Sequence, residues 1–572
     1  MTRDESQLSQ DRSAAAAANH DLPRSGGRIV ADALRLHGVD RIFCVPGESY
    51  LDIVDALYDM PEIEVVVAKH EGAAANMAEA DGKLTGRPGV CIVTRGPGAT
   101  HASVGVHTAF HDSTPMILLI GQVARGVRDR GAFQEVDFEA MFAPICKWAA
   151  EIRDPARIPE YMARAFRCAI SDRPGPVVLA LPEDVLAEVV TVRDRAPLAE
   201  VRNDAAPYQI QMLRSELMRA KRPLLVVGGS MWTDEACAAL EIFAMENQIP
   251  VAASFRRQDL FDNRHPCYVG HLTLGTPPYL AQAVRDADLV ISLGSLLGDV
   301  TTQSYKLIDA SNPNQRLVHI HPDASELGKV HQTHLAIHAS LARCAAALAT
   351  LEPLPNPAWK AWTEGLRQSY LKFVTPAESA EPAHGVNLAA VMHHLSNRLP
   401  DDAIISNGAG NYTVWVHRYF LYKRRGTELA PTSGAMGYGL PAAIAGKLRH
   451  PDRTVVCFAG DGCMLMYPQE LATAAARGVG MIVLVVNNGM YGTIRMHQER
   501  RFPGRPYCTD LKSVDFVAMA QGFGAYSERV DRTEDFAAAF ERCAQSQQLA
   551  VLELLVDPNQ ITPDRKLTQA NR

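Results

Sequence analysis

The chain has 572 residues, 47% of them hydrophobic and 21% charged, and its 57 Lys and Arg against 64 Asp and Glu give a net charge of −7. That length exceeds a single hydrophobic core, and at roughly 150 residues per domain it suggests three or four domains, of which three is the expectation. The composition excludes a disordered, fibrous or disulfide-scaffold chain, and the absence of long charge blocks argues against nucleic acid as a partner. The eleven cysteines, from Cys44 to Cys543, include no C-x-x-C pair, so a reducing cytoplasm is expected and a thiolate zinc site is not. The longest apolar runs, such as 481–486, are far shorter than the roughly 18 to 20 residues a membrane helix needs, so no membrane partner is expected. Residues 1–25 lack the apolar core of a secretory signal and read as a mobile tail.

Short β-branched runs then alternate with longer amphipathic stretches. Strands are predicted at 41–45, 64–68, 90–94 and 116–120, in a first domain over 26–192. A second set lies at 223–229, 288–294 and 317–320, in a domain over 208–351. A third lies at 403–405, 454–459, 481–486 and 550–556, in a domain over 384–558. Continuous apolar strands separated by helices indicate parallel sheets covered on both faces, so the fold class is α/β with three doubly wound parallel-sheet domains. The charged, proline-containing stretch 193–207 reads as a linker, and 352–357 as a second break. Open α/β sheets place ligands at the carboxyl ends of their strands, and that is where the glycine-rich segments fall.

The strongest chemical signal is Gly460-Asp461-Gly462 at the end of one predicted strand, followed after 24 residues by Asn487-Asn488-Gly489 at the end of the next. Glycines let backbone N–H groups approach a diphosphate, while a carboxylate and an amide oxygen are hard donors suited to Mg²⁺. An isolated G-D-G after a strand is most often only a turn; the pair, at this separation, resembles the motif of thiamine diphosphate enzymes. A second match is Glu71, in the segment Ala68-Lys-His-Glu-Gly-Ala-Ala-Ala-Asn76. Taken alone it reads as a first-turn helix charge favoured by the macrodipole. The resemblance implies instead that Glu71 hydrogen-bonds the cofactor's aminopyrimidine ring and activates it.

A third match is Gly434-Ala-Met-Gly-Tyr-Gly-Leu-Pro441. By resemblance, Met436 wedges between the cofactor's rings and the Gly434 carbonyl accepts its exocyclic amine. The resemblance also implies cofactor contacts from Pro46, Gly47, Asn411, Tyr412, Gly460, Gly462, Cys463 and Tyr491, and a metal held by Asp461, Asn488 and the Met490 carbonyl. Together the matches span nearly the whole chain, in the domain order of the acetolactate synthase and 2-oxo acid decarboxylase branch. That branch implies a homodimer or a dimer of dimers, with Glu71 of one copy meeting Asp461 of another.

Within the branch, 131–137 and 143–148 look like the acetolactate synthase and acyl-CoA or aldehyde lyase group, in which Phe133 and Gln134 line the substrate pocket. Three departures stand out. His497 occupies the place of a tryptophan that helps acetolactate synthases choose their second substrate, and a titratable imidazole there suits a proton transfer or another acceptor. Cys463 stands where serine is common. His321 stands where an acid often meets a ribose in the nucleotide-type central domain, leaving FAD, ADP or an empty site as alternatives. The implied activity is decarboxylation of a 2-oxo acid with carboligation, with Glu71, Gln134 and His497 as catalytic candidates. The alternatives are a 2-hydroxyacyl-CoA or acyloin lyase, a simple decarboxylase, and a non-catalytic cofactor-binding relative. A dehydrogenase ranks last, because Gly96-Pro-Gly-Ala-Thr-His101 lacks the third glycine of the dinucleotide fingerprint.

Overall fold

The computed structural model describes residues 22–567 except 200, 312, 356, 377–383, 512 and 513. Residues 1–21 of the predicted tail therefore lie outside the described residues. Arg24 and Ser25, by contrast, pair antiparallel with Val190 and Val189, because the Arg24 guanidinium is buried between Asp32 at 2.6 Å and Asp194 at 2.9 Å. The chain divides into two compact units after Val201.

The first unit is built on six parallel strands: β1 (Arg41–Cys44), β2 (Glu64–Val67), β3 (Gly89–Val93), β4 (Met116–Gln122), β5 (Trp148–Glu151) and β6 (Pro176–Pro182), in the order β2-β1-β3-β4-β6-β5. Every residue of β3, β4 and β6 is buried, as continuous apolar strands between two helical layers require. Two helices frame the sheet's carboxyl end. Helix α1 (Glu71–Thr85) follows β2, and α2 (Pro97–Asp112) follows β3. They touch through small residues, so closely that a Cβ on Gly105 would lie 2.4 Å from the Ala75 Cβ.

The second unit holds two more parallel sheets. One comprises β7 (Pro223–Val227), β8 (Val251–Ala253), β9 (Tyr268–His271), β10 (Leu289–Leu293), β11 (Arg316–His321) and β12 (Leu335–His338), ordered β9-β8-β7-β10-β11-β12, the doubly wound dinucleotide-domain order. The helix α3 (Lys360–Val374), in the stretch between the predicted second and third domains, packs Leu366 and Tyr370 into the cores beside this sheet. The other sheet comprises β13 (Ile404–Asn407), β14 (Glu428–Leu429), β15 (Val455–Gly460), β16 (Ile482–Asn487), β17 (Tyr526–Val530) and β18 (Ala550–Leu555), ordered β14-β13-β15-β16-β18-β17. Its order repeats that of the first unit strand for strand. The α/β expectation with three parallel sheets is thereby borne out.

The two sheets of the second unit are joined by a buried polar seam. Gln258 N–H donates to Glu428 Oε2 at 2.6 Å, and Asp259 Oδ2 accepts the N–H groups of Gly426 and Thr427. Arg256 Nη1 reaches the Pro431 carbonyl at 2.5 Å, which fixes the turn leading to Gly434 and Met436. Burial, then the neighbouring Asp259 carboxylate, pushes the Glu428 carboxyl well above the usual carboxylate range. Among the described residues no helix is long and apolar enough to cross a membrane.

Candidate active site

In an open α/β sheet the strand order reverses at one point, and the loops flanking that point form a crevice. In the last sheet the reversal lies between β13 and β15. The loops after these strands, with the turn after β14 and the loop after β16, enclose a cavity of about 250 Å³. Gly434, Met436, Asp461, Cys463, Asn488 and Met490 all line it. The short helix α4 (Asp461–Met464) starts directly on β15, so Asp461 sits where backbone N–H groups and a helix start face the crevice.

Asp461 is buried, and Gly462 N–H and Gly489 N–H donate to its Oδ1 and Oδ2, each at 2.8 Å. Burial pushes its carboxyl up to about 6, against the downward pull of these backbone donors. Asn488 Oδ1 accepts Met490 N–H at 3.2 Å, and the Met490 carbonyl accepts Gly492 N–H at 2.8 Å. The loop is thus held by its own amides, with each of these oxygens keeping a second lone pair. Gly460 and Gly462 are required by their neighbours: a Cβ would lie 2.9 Å from the Tyr412 ring and 2.8 Å from the Tyr491 ring.

In the first unit the reversal lies between β1 and β3. The Pro46-Gly47 loop and the loop opening at Thr94 close on each other there, and a Cβ on Gly47 would lie 2.4 Å from the Thr94 Cβ. Glu71 opens α1 after β2, mostly buried, with Oε2 at 2.9 Å from His101 Nδ1. The loop after β4 supplies Gln134 in the left-handed region at φ 64°. It abuts Gly96, where a Cβ would lie 2.7 Å from the Gln134 Cβ.

Family profiles for the N-terminal, central and C-terminal domains of thiamine pyrophosphate enzymes match residues 24–141, 210–348 and 408–554. The acetolactate synthase large subunit of Parasynechococcus marenigrum is 34% identical over 544 residues, covering 92% of this chain and 87% of that protein. The large subunit of Lactococcus lactis is 30% identical, with 95% and 94% covered. The isozyme 2 large subunit of Escherichia coli is 29% identical, with 93% and 96% covered.

The chain belongs to the thiamine pyrophosphate enzyme family. It is a thiamine diphosphate-dependent enzyme resembling acetolactate synthases, and the two reversal points lie in its two cofactor-binding domains. The same corners recur in both domains: the loops after the first and third strands, and the turn after the second, which carries Glu71 in one and Gly434 with Met436 in the other.

The remaining expected residues fall in two groups. Asn411, Tyr412, Gly460, Gly462 and Tyr491 line the C-terminal cavity; Tyr412 OH accepts Gly408 N–H at 3.0 Å. Cys463 also lines it, with its thiol donating to the Ala409 carbonyl at 2.8 Å. Phe133 is 74% exposed, and His497 is exposed on α5 (Gly492–Arg501), one turn past the cavity-lining Ile494. Sequence reasoning missed Thr493, which lines the cavity and donates to Asn411 Oδ1 at 2.8 Å. A hydroxyl at the start of a helix beside the N-N-G loop was the signal for it. His101 was missed too: a histidine inside a glycine-loop helix carries no motif, and only the packing of α2 on α1 brings it to Glu71.

Proposed function

We propose that this chain uses thiamine diphosphate and Mg²⁺ to decarboxylate a 2-oxo acid and join the remaining fragment to a second carbonyl compound, as an acetolactate synthase-like carboligase. What supports the reading most is the convergence of Asp461, Asn488, Met490, Gly434 and Met436 on one cavity. The donor set fits the implied groups: hard oxygens from a carboxylate, an amide and a carbonyl suit Mg²⁺, and the glycine-lined floor admits a diphosphate. A carboxylate about 4 Å from a phosphate charge would be repelled by roughly 4 kcal/mol at an effective dielectric near 20, so Asp461 requires the cation to hold the diphosphate.

When bound, the cofactor supplies the electron sink for carbon–carbon cleavage. The chain's own residues do the rest. Asp461, Asn488 and the Met490 carbonyl hold the metal. Met436 shapes the bound molecule, and the Gly434 carbonyl accepts its exocyclic amine. Glu71 holds a proton shared with the aminopyrimidine. Gln134, a neutral amide, binds a substrate carboxylate or hydroxyl without adding charge, and Phe133 with His497 completes the pocket. By resemblance to the acetolactate synthase branch, we assign the complete site to two copies of the chain, in a homodimer or a dimer of dimers. The eleven cysteines, all free, suit a cytoplasmic enzyme.

The central domain fits a nucleotide poorly at His321. Its Nδ1 accepts the Asp323 N–H at 3.1 Å, and burial lowers the imidazole to about 4. A neutral ring committed to its own turn is no carboxylate for a ribose, and no step of the proposed reaction uses FAD or ADP there.

The test is incubation of the protein, thiamine diphosphate and Mg²⁺ with a panel of 2-oxo acids, 2-hydroxyacyl-CoA thioesters and acyloins, with CO₂ and products read by NMR. Coupled products from 2-oxo acids support carboligation. CO₂ with free aldehyde means simple decarboxylation, turnover of only the thioesters or acyloins means lysis, and no turnover of any of them overturns the catalytic reading.

A further inference from the structure

Glu71 shares the mouth of its helix with two imidazoles. His101 Nδ1 lies 2.9 Å from Glu71 Oε2, and the His101 ring stacks on His70 with centroids 4.6 Å apart and planes 28° from parallel. One polar atom of each of the three side chains lies within 4.8 Å of the others. The other carboxylate oxygen, Oε1, faces Gly98, where even an added Cβ would stand 3.4 Å away. In the single chain Glu71 is 14% exposed and His101 50%, so a mostly buried carboxylate rests against a half-exposed imidazole.

The spacing is set by backbone packing, because the contact of Gly105 with Ala75 locks α2 against α1. The surroundings leave His101 as the group with which Glu71 can exchange a proton. His70 caps α1 by accepting Gly72 N–H at its Nδ1 at 3.0 Å, and burial, then His101, lowers its proton affinity. Tyr50 and Cys91 also feel the Glu71 charge; burial above all keeps both protonated, with Cys44 beside them. Arg95 is engaged by Glu183 and Glu48.

We propose that His101 is a positioning residue for Glu71 that also shares its proton with solvent. It holds Oε2 so that Oε1 stays turned toward Gly98. In the resting pair the Nδ1 proton is donated to Oε2. When Nε2 takes a proton from water and the Nδ1 proton passes to Oε2, the carboxyl is protonated and the imidazole neutral again. Two protons shift in turn, for a net transfer of one from water to the carboxyl with hydroxide left in solvent; no electron moves, and the reverse sequence restores the pair. The inference rests on the reading of Glu71 as the group that shares a proton with the cofactor.

The first experiment needs no cofactor: NMR of the His101 ring nitrogens in the full chain, wild type against Glu71→Gln. Removing the carboxylate should move the Nδ1 resonance as its hydrogen-bond partner is lost; an unchanged resonance overturns the pair. The second measures exchange of the cofactor's thiazolium proton in D₂O without substrate, together with cofactor affinity. His101→Phe, which keeps the ring stack, should slow exchange about 10- to 100-fold with affinity nearly unchanged. His101→Asn should recover part of the rate but not the wild-type pH profile. Equal exchange and equal pH profiles in wild type and His101→Phe overturn the proposal. If Glu71→Gln itself exchanges normally, the role given to Glu71 fails; if Glu71→Gln is slow and His101→Phe is not, only the role of His101 fails.

Discussion

Asp461 Oδ2 accepts the Gly489 N–H at 2.8 Å, so the loop after β15 and the loop after β16 are tied through the side chain proposed to hold the metal. The tie presets the distance between Asp461 and Asn488 before any ligand arrives. It also leaves Asp461 buried, and burial pushes its carboxyl up to about 6.

Proton and metal therefore compete at Asp461. Mg²⁺ affinity in the presence of thiamine diphosphate should fall about tenfold per pH unit below about 6 and level off above it. Without ligands the sign reverses. A carboxyl whose folded value lies above its unfolded one binds protons more tightly in the folded chain, so stability should decline as pH rises from about 4 to about 6. Asp461→Asn should flatten that decline in urea titrations and abolish metal-dependent cofactor binding by calorimetry.

Glu71→Gln preserves shape and removes the proton that the carboxyl can share. Cofactor affinity should stay within about threefold, while turnover should fall at least about 100-fold, the lower range for general acid–base groups. Calorimetry and steady-state rates check the two halves separately; turnover equal to wild type would end the role assigned to Glu71.

Gly105 is where α2 meets α1, and an added Cβ would overlap Ala75. Gly105→Val should cost about 1–3 kcal/mol in chemical denaturation, the usual range for overpacking. Because the strain lies between the helices that carry Glu71 and His101, cofactor activation should fall in the folded fraction as well.

Glu428 is buried in the seam beside Asp259, which raises its carboxyl well above the usual range. The same sign applies: the wild-type chain should lose stability as pH rises from about 4.5 to about 8, as this group is forced to ionise. Glu428→Gln keeps an acceptor for Gln258 N–H and should show a shallower loss in urea melts across that range. A steeper loss in the variant would contradict the assignment.

Much of this architecture was legible beforehand. Strands such as Met116–Gln122 and Val455–Gly460 are continuous apolar runs, and only a sheet covered on both faces buries such runs. Among the runs that escaped notice, Pro176–Pro182 is as apolar and buried as these, whereas Glu428–Leu429 is two residues long, and Trp148–Glu151 and Tyr526–Val530 are half-exposed edges with no unbroken apolar pattern.

For the site, the sequence by itself determined which residues gather, because a glycine, a carboxylate or an asparagine at a strand's carboxyl end is a local feature with one geometric outcome. Met436, Asp461 and Asn488 meet in one cavity for that reason. Tertiary structure alone decided the contacts set by helix packing and side-chain rotation: His101 on Glu71, Thr493 on Asn411, the Cys463 thiol turned to the Ala409 carbonyl, and His497 left on the exposed face of its helix. These pairs are separated by 30 to 82 residues where two side chains meet, and no local pattern encodes a distance that only close helix packing and the strand order create.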